Sequence, residues 1–469
     1  MILGKAIGTG EGYRYIHLPG EPAATLYPPL WPTLLSFVWR MSPEFPENVR
    51  VMKLLNPLLL GVTAVGATLL ATRLARVRPW LAALVAIACI AITPTLMVIS
   101  GLMSEPLGTA LAVFALLAAT VTIMRGRTRD AVIAGLLVAL SVLARSASVV
   151  LVASLVVGLL WHRSRRASAV SLAVALPPIV AWFLWSAAHA AELPSAIAGS
   201  YGPYTTWLLD AYRGEPGLAL DVARKNIATI LRELGIVIFG GVPTVVRITG
   251  VLALVAMAVT GIAMAGRRVL PLAAALVTYA GLIVLWPYSP GRFVWAFLPI
   301  AAVVVLAGIT ALQRRFRAPG AARVAIAFGG ATLALLIVND ARGLRNRWHA
   351  IAIERNVEGV LAPLAWISQY TAPTDTIATD VHLMAYLYAN RTVVPISTLM
   401  ASEYVRPKSA EAMRAEIAAI DSTYRPQWWV ASGGVAQGAA LRAWAAESPG
   451  RLEIVAMLPG GGFAARARR

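Results

Sequence analysis

Tyr13–Pro32, YRYIHLPGEPAATLYPPLWP, is the stretch around which the chain is organised. It lies outside every long apolar run and holds five prolines, three tyrosines and a tryptophan. Prolines remove backbone donors and forbid regular pairing, so this is a shaped loop and not a strand. From Tyr27–Pro32 an apolar segment runs on to about Arg40. Proline fits the first turn of a helix, and an aromatic-rich amphipathic helix suits a membrane surface. Beyond it lie long apolar runs, then a charged tail. A polar, aromatic loop beside a helix bundle is where a membrane enzyme would hold a substrate. The plain alternative is an ordinary extracytoplasmic connector.

The 469 residues are 58% hydrophobic and 13% charged, with mean hydropathy +0.71. A soluble chain of that size could not hide so much apolar surface, so most of it must face lipid. The formal net charge is +19. The arginines fall in short clusters between apolar runs, which is topology signalling and headgroup contact, not nucleic-acid binding. The single cysteine, Cys89, lies inside an apolar run, which excludes internal disulfides and a cysteine metal site.

Apolar runs that could span are Val51–Thr72, Pro79–Ile99, Pro106–Met124, Ser168–His189, Ile248–Met264, Val269–Leu285, Phe293–Leu312 and Val324–Val338. Asp130–Trp161 is a longer run with Arg145 in its middle. As one helix it would leave Arg145 near mid-membrane, at about 2.5–3.5 kcal/mol on insertion scales. Read as two short helices with Arg145 at the turn, it brings the total to about ten spans. Arginine clusters at Arg73/Arg76/Arg78, Arg125/Arg127/Arg129, Arg163/Arg165/Arg166, Arg267/Arg268 and Arg314/Arg315/Arg317/Arg323 alternate with arginine-poor connectors. If all five are cytoplasmic, only the two-helix reading keeps every span in register. The extracytoplasmic side then receives the N-terminal loop, Ser100–Glu105, Arg145, Ala190–Val246, Trp286–Arg292 and everything after Asn339. Within Ala190–Val246, Leu218–Phe239 is amphipathic and reads as a surface helix; as a further span it would invert all that follows.

The tail from about Arg345 is different material. Thr376–Thr379, Thr392–Ile396, Trp428–Ser432 and Leu452–Ala456 read as strands. Ile351–Tyr370, His382–Ala389, Ser409–Ile420 and Ala436–Glu447 read as helices. Such alternation implies a small α/β layer domain, and Gly460–Gly462 reads as a turn. The expected organisation is therefore an extracytoplasmic loop with surface helices over 1–50, a transmembrane bundle over 51–340 that includes the segment 190–246, and a soluble extracytoplasmic α/β domain over 345–469.

No HExxH, CxxC or glycine-rich nucleotide loop is present, so chemistry must come from isolated carboxylates and arginines. Here the motifs GEGYRYIHLPG (Gly10–Gly20) and YPPLWPTLLSFVW (Tyr27–Trp39) matter. So do GLMSEPL (Gly101–Leu107), LARSAS (Leu143–Ser148), YSPGRFVWAFLP (Tyr288–Pro299), WISQYTAPTDTIATD (Trp366–Asp380) and YLYANR (Tyr386–Arg391). Their order resembles bacterial GT-C-type membrane glycosyltransferases, the group that includes protein mannosyltransferases and lipid A aminoarabinose transferases. The resemblance covers nearly the whole chain and implies a polytopic α-helical membrane protein, a GT-C-like bundle with a C-terminal soluble α/β domain. It implies transfer of a sugar from a polyprenyl-phosphate-linked donor to a lipid, glycan or protein acceptor. It also implies residence in a bacterial cytoplasmic (inner) membrane, with the active site and tail domain on the extracytoplasmic side.

Such a reaction needs a carboxylate to deprotonate or orient the acceptor hydroxyl, and cations to hold the phosphate leaving group. Arg145 and Arg292 abut helix ends away from the arginine clusters, and the planar guanidinium fork suits phosphate. Snorkelling to headgroups is their alternative role. Glu105 begins a helix, where the dipole stabilises it; the resemblance assigns it to the acceptor or to a divalent cation, Mg or Mn. Glu11 and Glu21 lie in the organising loop; Glu11 is the second catalytic candidate. Tyr13, Arg14, Tyr27 and Tyr288 are candidate lining for the sugar site. His17 reads as a loop histidine, and Asp380 with His382 could form a polar pocket after a strand.

A transporter or a non-catalytic scaffold are the competing functions. A transporter predicts charges inside helices and half-helix symmetry, and neither is evident. Met1–Ile7 reads as the middle of a helix without a cap, and no signal segment precedes the loop that the arginines place outside. The resembling proteins place an acidic residue just before the segment matching Ile2–Ile7, after a first membrane helix. A truncated or inactive transferase, with its main acid upstream of Met1, is therefore a further expectation.

Overall fold

A computed structural model describes residues 1–315, 319–433, 436–447 and 450–468. The chain divides into two compact units. One gathers residues 53–182 and 219–350; the other joins 1–52, 183–218 and 351–469. The three consecutive blocks read from the sequence are regrouped accordingly. The first fifty residues are not a module of their own but pack into the α/β tail.

The helical unit is built from the apolar runs. Among the described residues six helices are long and apolar enough to cross a membrane, among them Asn48–Leu74, Glu105–Arg125, Thr244–Ala265 and Gly291–Arg315. The pair Pro79–Ile90 and Thr93–Ser100 makes a seventh if taken as one span, bent by 63°. Pro94 at the start of the second piece removes a donor where the helix breaks. The expected total of about ten also counts shorter apolar helices, such as Ser146–Leu160 and Leu270–Val284. Thr128–Ala144 has 17 residues and Leu270–Val284 has 15. Thr128–Ala144 nevertheless packs antiparallel along Glu105–Arg125 and returns Arg145 to Glu105, so the two helices cover the same depth. The Asp130–Trp161 run is two short helical pieces, and Arg145 is the extended residue between them (φ −157°, ψ 121°). Leu218–Ile238 is a helix but not one of the candidate spans. Its Asn226 side chain donates to the carbonyls of Ile283 (2.9 Å), Val284 (3.1 Å) and Trp286 (2.7 Å). It thereby caps the end of Leu270–Val284, whose last carbonyls have no helical partner.

The other unit holds a five-stranded sheet: β1 Thr376–Thr379, β2 Thr392–Val394, β3 Trp428–Ala431, β4 Leu452–Met457 and β5 Phe463–Ala467, in the order β2-β1-β3-β5-β4. β1 runs parallel to β2 and β3; β5 is antiparallel to β3 and β4. Successive residues face opposite layers. Ile377, Val393 and Val430 pack with Trp366, Ile367 and Ala385 from helices Trp348–Tyr370 and His382–Ala389. Ala378, Val394 and Trp429 pack with Ile417, Ile420, Leu441 and Trp444 from helices Ala410–Tyr424 and Ala436–Glu447. The proline-rich loop enters both layers: Tyr15, Leu18 and Ala24 join the second, Ile16 the first. The Val393 N–H donates to the His17 carbonyl (2.8 Å), so the loop covers the β2 edge of the sheet. β5 was not foreseen, and Gly460–Gly461 is the turn that folds it back on β4.

At the other end of this unit's chain, Ile2–Thr9 is a helix without a side-chain cap, packed on helix Leu30–Met41. Gly4 and Gly8 permit the approach: a Cβ on Gly4 would lie 2.8 Å from Leu35 Cβ, and one on Gly8 2.9 Å from Trp39 Cβ.

Candidate functional site

Three charged residues from distant parts of the sequence converge in the helical unit. Glu105 opens helix Glu105–Arg125 and is buried at 6% exposure. Arg145 sits at the break after Thr128–Ala144, its backbone held by Ser141 and Val142 carbonyls. Arg292 is the second residue of Gly291–Arg315. Arg145 Nη2 lies 3.5 Å and Arg292 Nε 3.7 Å from the same oxygen, Glu105 Oε1. The shared location expected from helix-end topology is what the coordinates show.

Local packing explains why they meet. Gly108, one turn into its helix, leaves room for the Arg145 stem: a Cβ there would come within 3.3 Å of Arg145 Cβ. The Phe293 ring is close to both guanidinium groups, whose carbons are 5.0 Å (Arg145) and 4.9 Å (Arg292) from its centre. Both are within cation–π range. Tyr279 donates its hydroxyl to the Phe293 carbonyl (2.6 Å) and stacks on Phe297 at 3.7 Å, fixing the turn that carries Arg292. Phe293 was missed in the sequence, where it is one aromatic among several in YSPGRFVWAFLP.

The two arginines differ in exposure. The Arg292 side chain is half exposed, whereas that of Arg145 is 11% exposed. At 3.5 Å the Arg145–Glu105 contact is an ion pair without hydrogen-bond geometry. Both terminal nitrogens of Arg145 are buried without a hydrogen-bond partner. Buried donors are nearly always paired, and leaving a charged one unpaired is costly. Two cations against one carboxylate leave an uncompensated positive charge, so the arrangement can take an anion. A small, mostly apolar pocket of about 30 Å³ includes Glu105 and Arg292 in its lining, together with Leu60, Cys89, Trp295 and Pro299.

Among the described residues no group of three or more His, Cys, Asp or Glu side chains could hold a metal. The Glu105 oxygen is already shared by two guanidinium groups. The metal role expected for Glu105 therefore finds no donor set.

Tyr288 lies in the turn preceding Arg292, its ring 5.8 Å from Trp286. The remaining candidates belong to the other unit. Glu11 is exposed and accepts from the Thr9 hydroxyl (2.9 Å). Tyr13 donates to the Tyr27 carbonyl (2.6 Å), Arg14 donates to the Glu21 carbonyl (3.1 Å), and the Tyr27 ring is half exposed. Their present contacts shape the loop. Ala23 N–H donates to Glu192 (3.0 Å), a second anchor not foreseen.

His17 is the larger surprise. It is 1% exposed, and its Nε2 lies 3.0 Å from the Tyr201 hydroxyl. Its ring stacks with His382 at 6.4 Å. Burial, with the neighbouring His382, pushes the His17 pKa down to about 3. Burial pushes His382 down to about 4, against opposing contributions from the Thr379 backbone and Asp380. Asp380 itself accepts from the backbone and hydroxyl of Ser432, so the polar group expected after β1 exists but is closed by its own partners.

The apolar helices and the small discontinuous α/β layer together make a fold that a solved membrane protein shares. The chain is similar in structure to ArnT from Cupriavidus metallidurans, crystallised bound to undecaprenyl phosphate: TM-score 0.52 at 12% identity, covering 99% of this chain and 92% of that one. The apo form of the same protein superposes with a TM-score of 0.49 at 12% identity, covering 99% and 91%. At such identity the likeness is one of fold. No protein-family model and no curated protein matches the sequence.

Proposed function

We propose that this protein transfers a sugar from a polyprenyl-phosphate-linked donor to an acceptor, and that Arg145 and Arg292 hold the phosphate. The observation that carries the reading is the buried Arg145 guanidinium, two of whose nitrogens make no hydrogen bond, sharing one Glu105 oxygen with Arg292. The solved relative in fold was crystallised with undecaprenyl phosphate, a ligand of the same anionic-head, apolar-tail chemistry. When the sugar C1–O bond breaks, charge gathers on the phosphate oxygens, and guanidinium groups already in place stabilise it without reorganising. Arg145 is the fixed donor. Arg292, half exposed, admits the phosphate and follows it.

Glu105, shared between the two cations, sets their spacing and is best read as a positioning residue. Tyr288, in the turn before Arg292, is proposed for the sugar; Glu11, Tyr13, Arg14 and Tyr27 lie in the other unit and carry no role in this proposal. The proposed setting is the extracytoplasmic face of a bacterial inner membrane, from the arginine alternation. The test is mass spectrometry of membrane glycans and glycolipids from cells without the gene, complemented by wild type or by Arg145→Gln. Loss of one sugar modification in the deletion, restored by wild type only, supports the reading. Identical glycolipids in all three strains reject it.

A further inference from the structure

The two edges of the sheet are treated differently by the chain. β2 is short and is covered by the proline-rich loop through the Val393–His17 hydrogen bond. β4 is the opposite edge, and among the described residues no strand lies outside it. Because Arg468 N–H donates to the Arg451 carbonyl (2.8 Å), Arg451 faces β5. Antiparallel alternation then turns the N–H and C=O of Leu452 and Ile454 outward. Ile454, Val455 and Met457 on this edge are 42%, 45% and 63% exposed. Natural edges are usually blunted by charge, proline or cover, and this one carries a register shift at Val455 and one acid, Glu453. A groove beside it is lined by Arg442, Ala445, Glu453, Ile454 and Arg468.

We propose that the β4 edge is a docking site for an extended, acidic polypeptide segment of a partner protein, which adds as a sixth strand. Outward backbone groups supply the pairing, and the exposed apolar side chains supply contact, as in other strand-addition recognition. Charge selects the occupant. Arg442, Arg451 and Arg468 flank the edge against Glu453 alone, and Glu453 is already paired with Arg468 (3.1 Å). The excess repels a second copy of the same edge and attracts acidic side chains. This surface is independent of the anion site.

The test uses the full chain in lipid nanodiscs and fluorescent hexapeptides. The probes are Asp-Val-Glu-Val-Asp-Val, its lysine counterpart, and the acidic peptide with alternate amides N-methylated. The acidic peptide should bind. N-methylation, which removes two donors, should weaken it ~10-fold or more, and Ile454→Pro in the protein, which removes one, ~5-fold. Arg451→Glu, an exposed site, should shift preference towards the lysine peptide. The N-methylated peptide keeps the test valid should Ile454→Pro disturb the sheet. Equal binding of acidic and basic peptides, or indifference to N-methylation, overturns the proposal. So does an Ile454→Pro effect confined to anionic-vesicle binding or to dimer mass, which would make the edge a membrane or self-pairing surface.

Discussion

The His17–His382 pair makes the unit that contains the sheet sensitive to acid. Both imidazoles have folded pKa values depressed, to about 3 and about 4, below the ordinary value of 6.5. The unfolded segment therefore binds protons that the folded one refuses. Stability is full above about pH 6.5 and is lost as pH falls towards the folded values. At pH 5.5 each histidine costs on the order of 1 kcal/mol, or roughly 3 kcal/mol together, and next to nothing at pH 7.5. The assay is hydrogen exchange with mass spectrometry on peptides covering 13–27, 198–204 and 382–389, normalised to intrinsic rates at each pH. Opening should increase ~100-fold between pH 7.5 and 5.5, since ~1.4 kcal/mol is tenfold. His17→Gln keeps a side-chain nitrogen for the Tyr201 hydroxyl and cannot titrate, so it should halve the slope on a logarithmic scale. A flat profile across that range, or an unchanged slope in His17→Gln, refutes the reasoning.

Gly308→Val should destabilise the bundle by ~3 kcal/mol or more, because a Cβ there would lie 1.9 Å from the Met257 carbonyl of a crossing helix; an unchanged thermal midpoint in detergent contradicts this. Asn226→Asp keeps the shape but removes the donors to Ile283, Val284 and Trp286, and should cost ~1–3 kcal/mol in the same measurement. Gly8→Val forces a side chain against Trp39 and should raise exchange in Ile2–Thr9 and Leu30–Met41 without changing that of β1 or β3; protection equal to wild type would show that the two helices do not need the close approach.

The apolar runs and their arginine flanks made the helices legible, because composition alone selects a lipid environment. Crossing number was less legible: a run of apolar residues does not reveal whether it holds 15 or 27 helical residues, or a bend. β1 to β4 announced themselves through Val, Ile and Trp. β5, Phe-Ala-Ala-Arg-Ala, did not, since its strand character comes from lying between β3 and β4. The convergence of Glu105, Arg145 and Arg292 could be read because each ends a helix on the same side of the arginine alternation. Phe293 could not, since only the fold brings its ring close to both guanidinium groups. Nor could the burial of His17, which depends on Tyr201 and His382, 184 and 365 positions away along the chain.

The most direct test of the anion site is native mass spectrometry of polyprenyl phosphate binding to the full chain, wild type against Arg145→Gln and Arg145→Lys. Removing one partner of a buried charged contact costs ~2–5 kcal/mol, so Arg145→Gln should weaken binding by ~30-fold or more. Arg145→Lys keeps the charge but not the planar fork, and should fall between the two. Polyprenyl alcohol of the same length should bind all three proteins equally and weakly. Wild-type affinity retained in Arg145→Gln, with the thermal midpoint unchanged, would contradict the assignment of Arg145 to the phosphate.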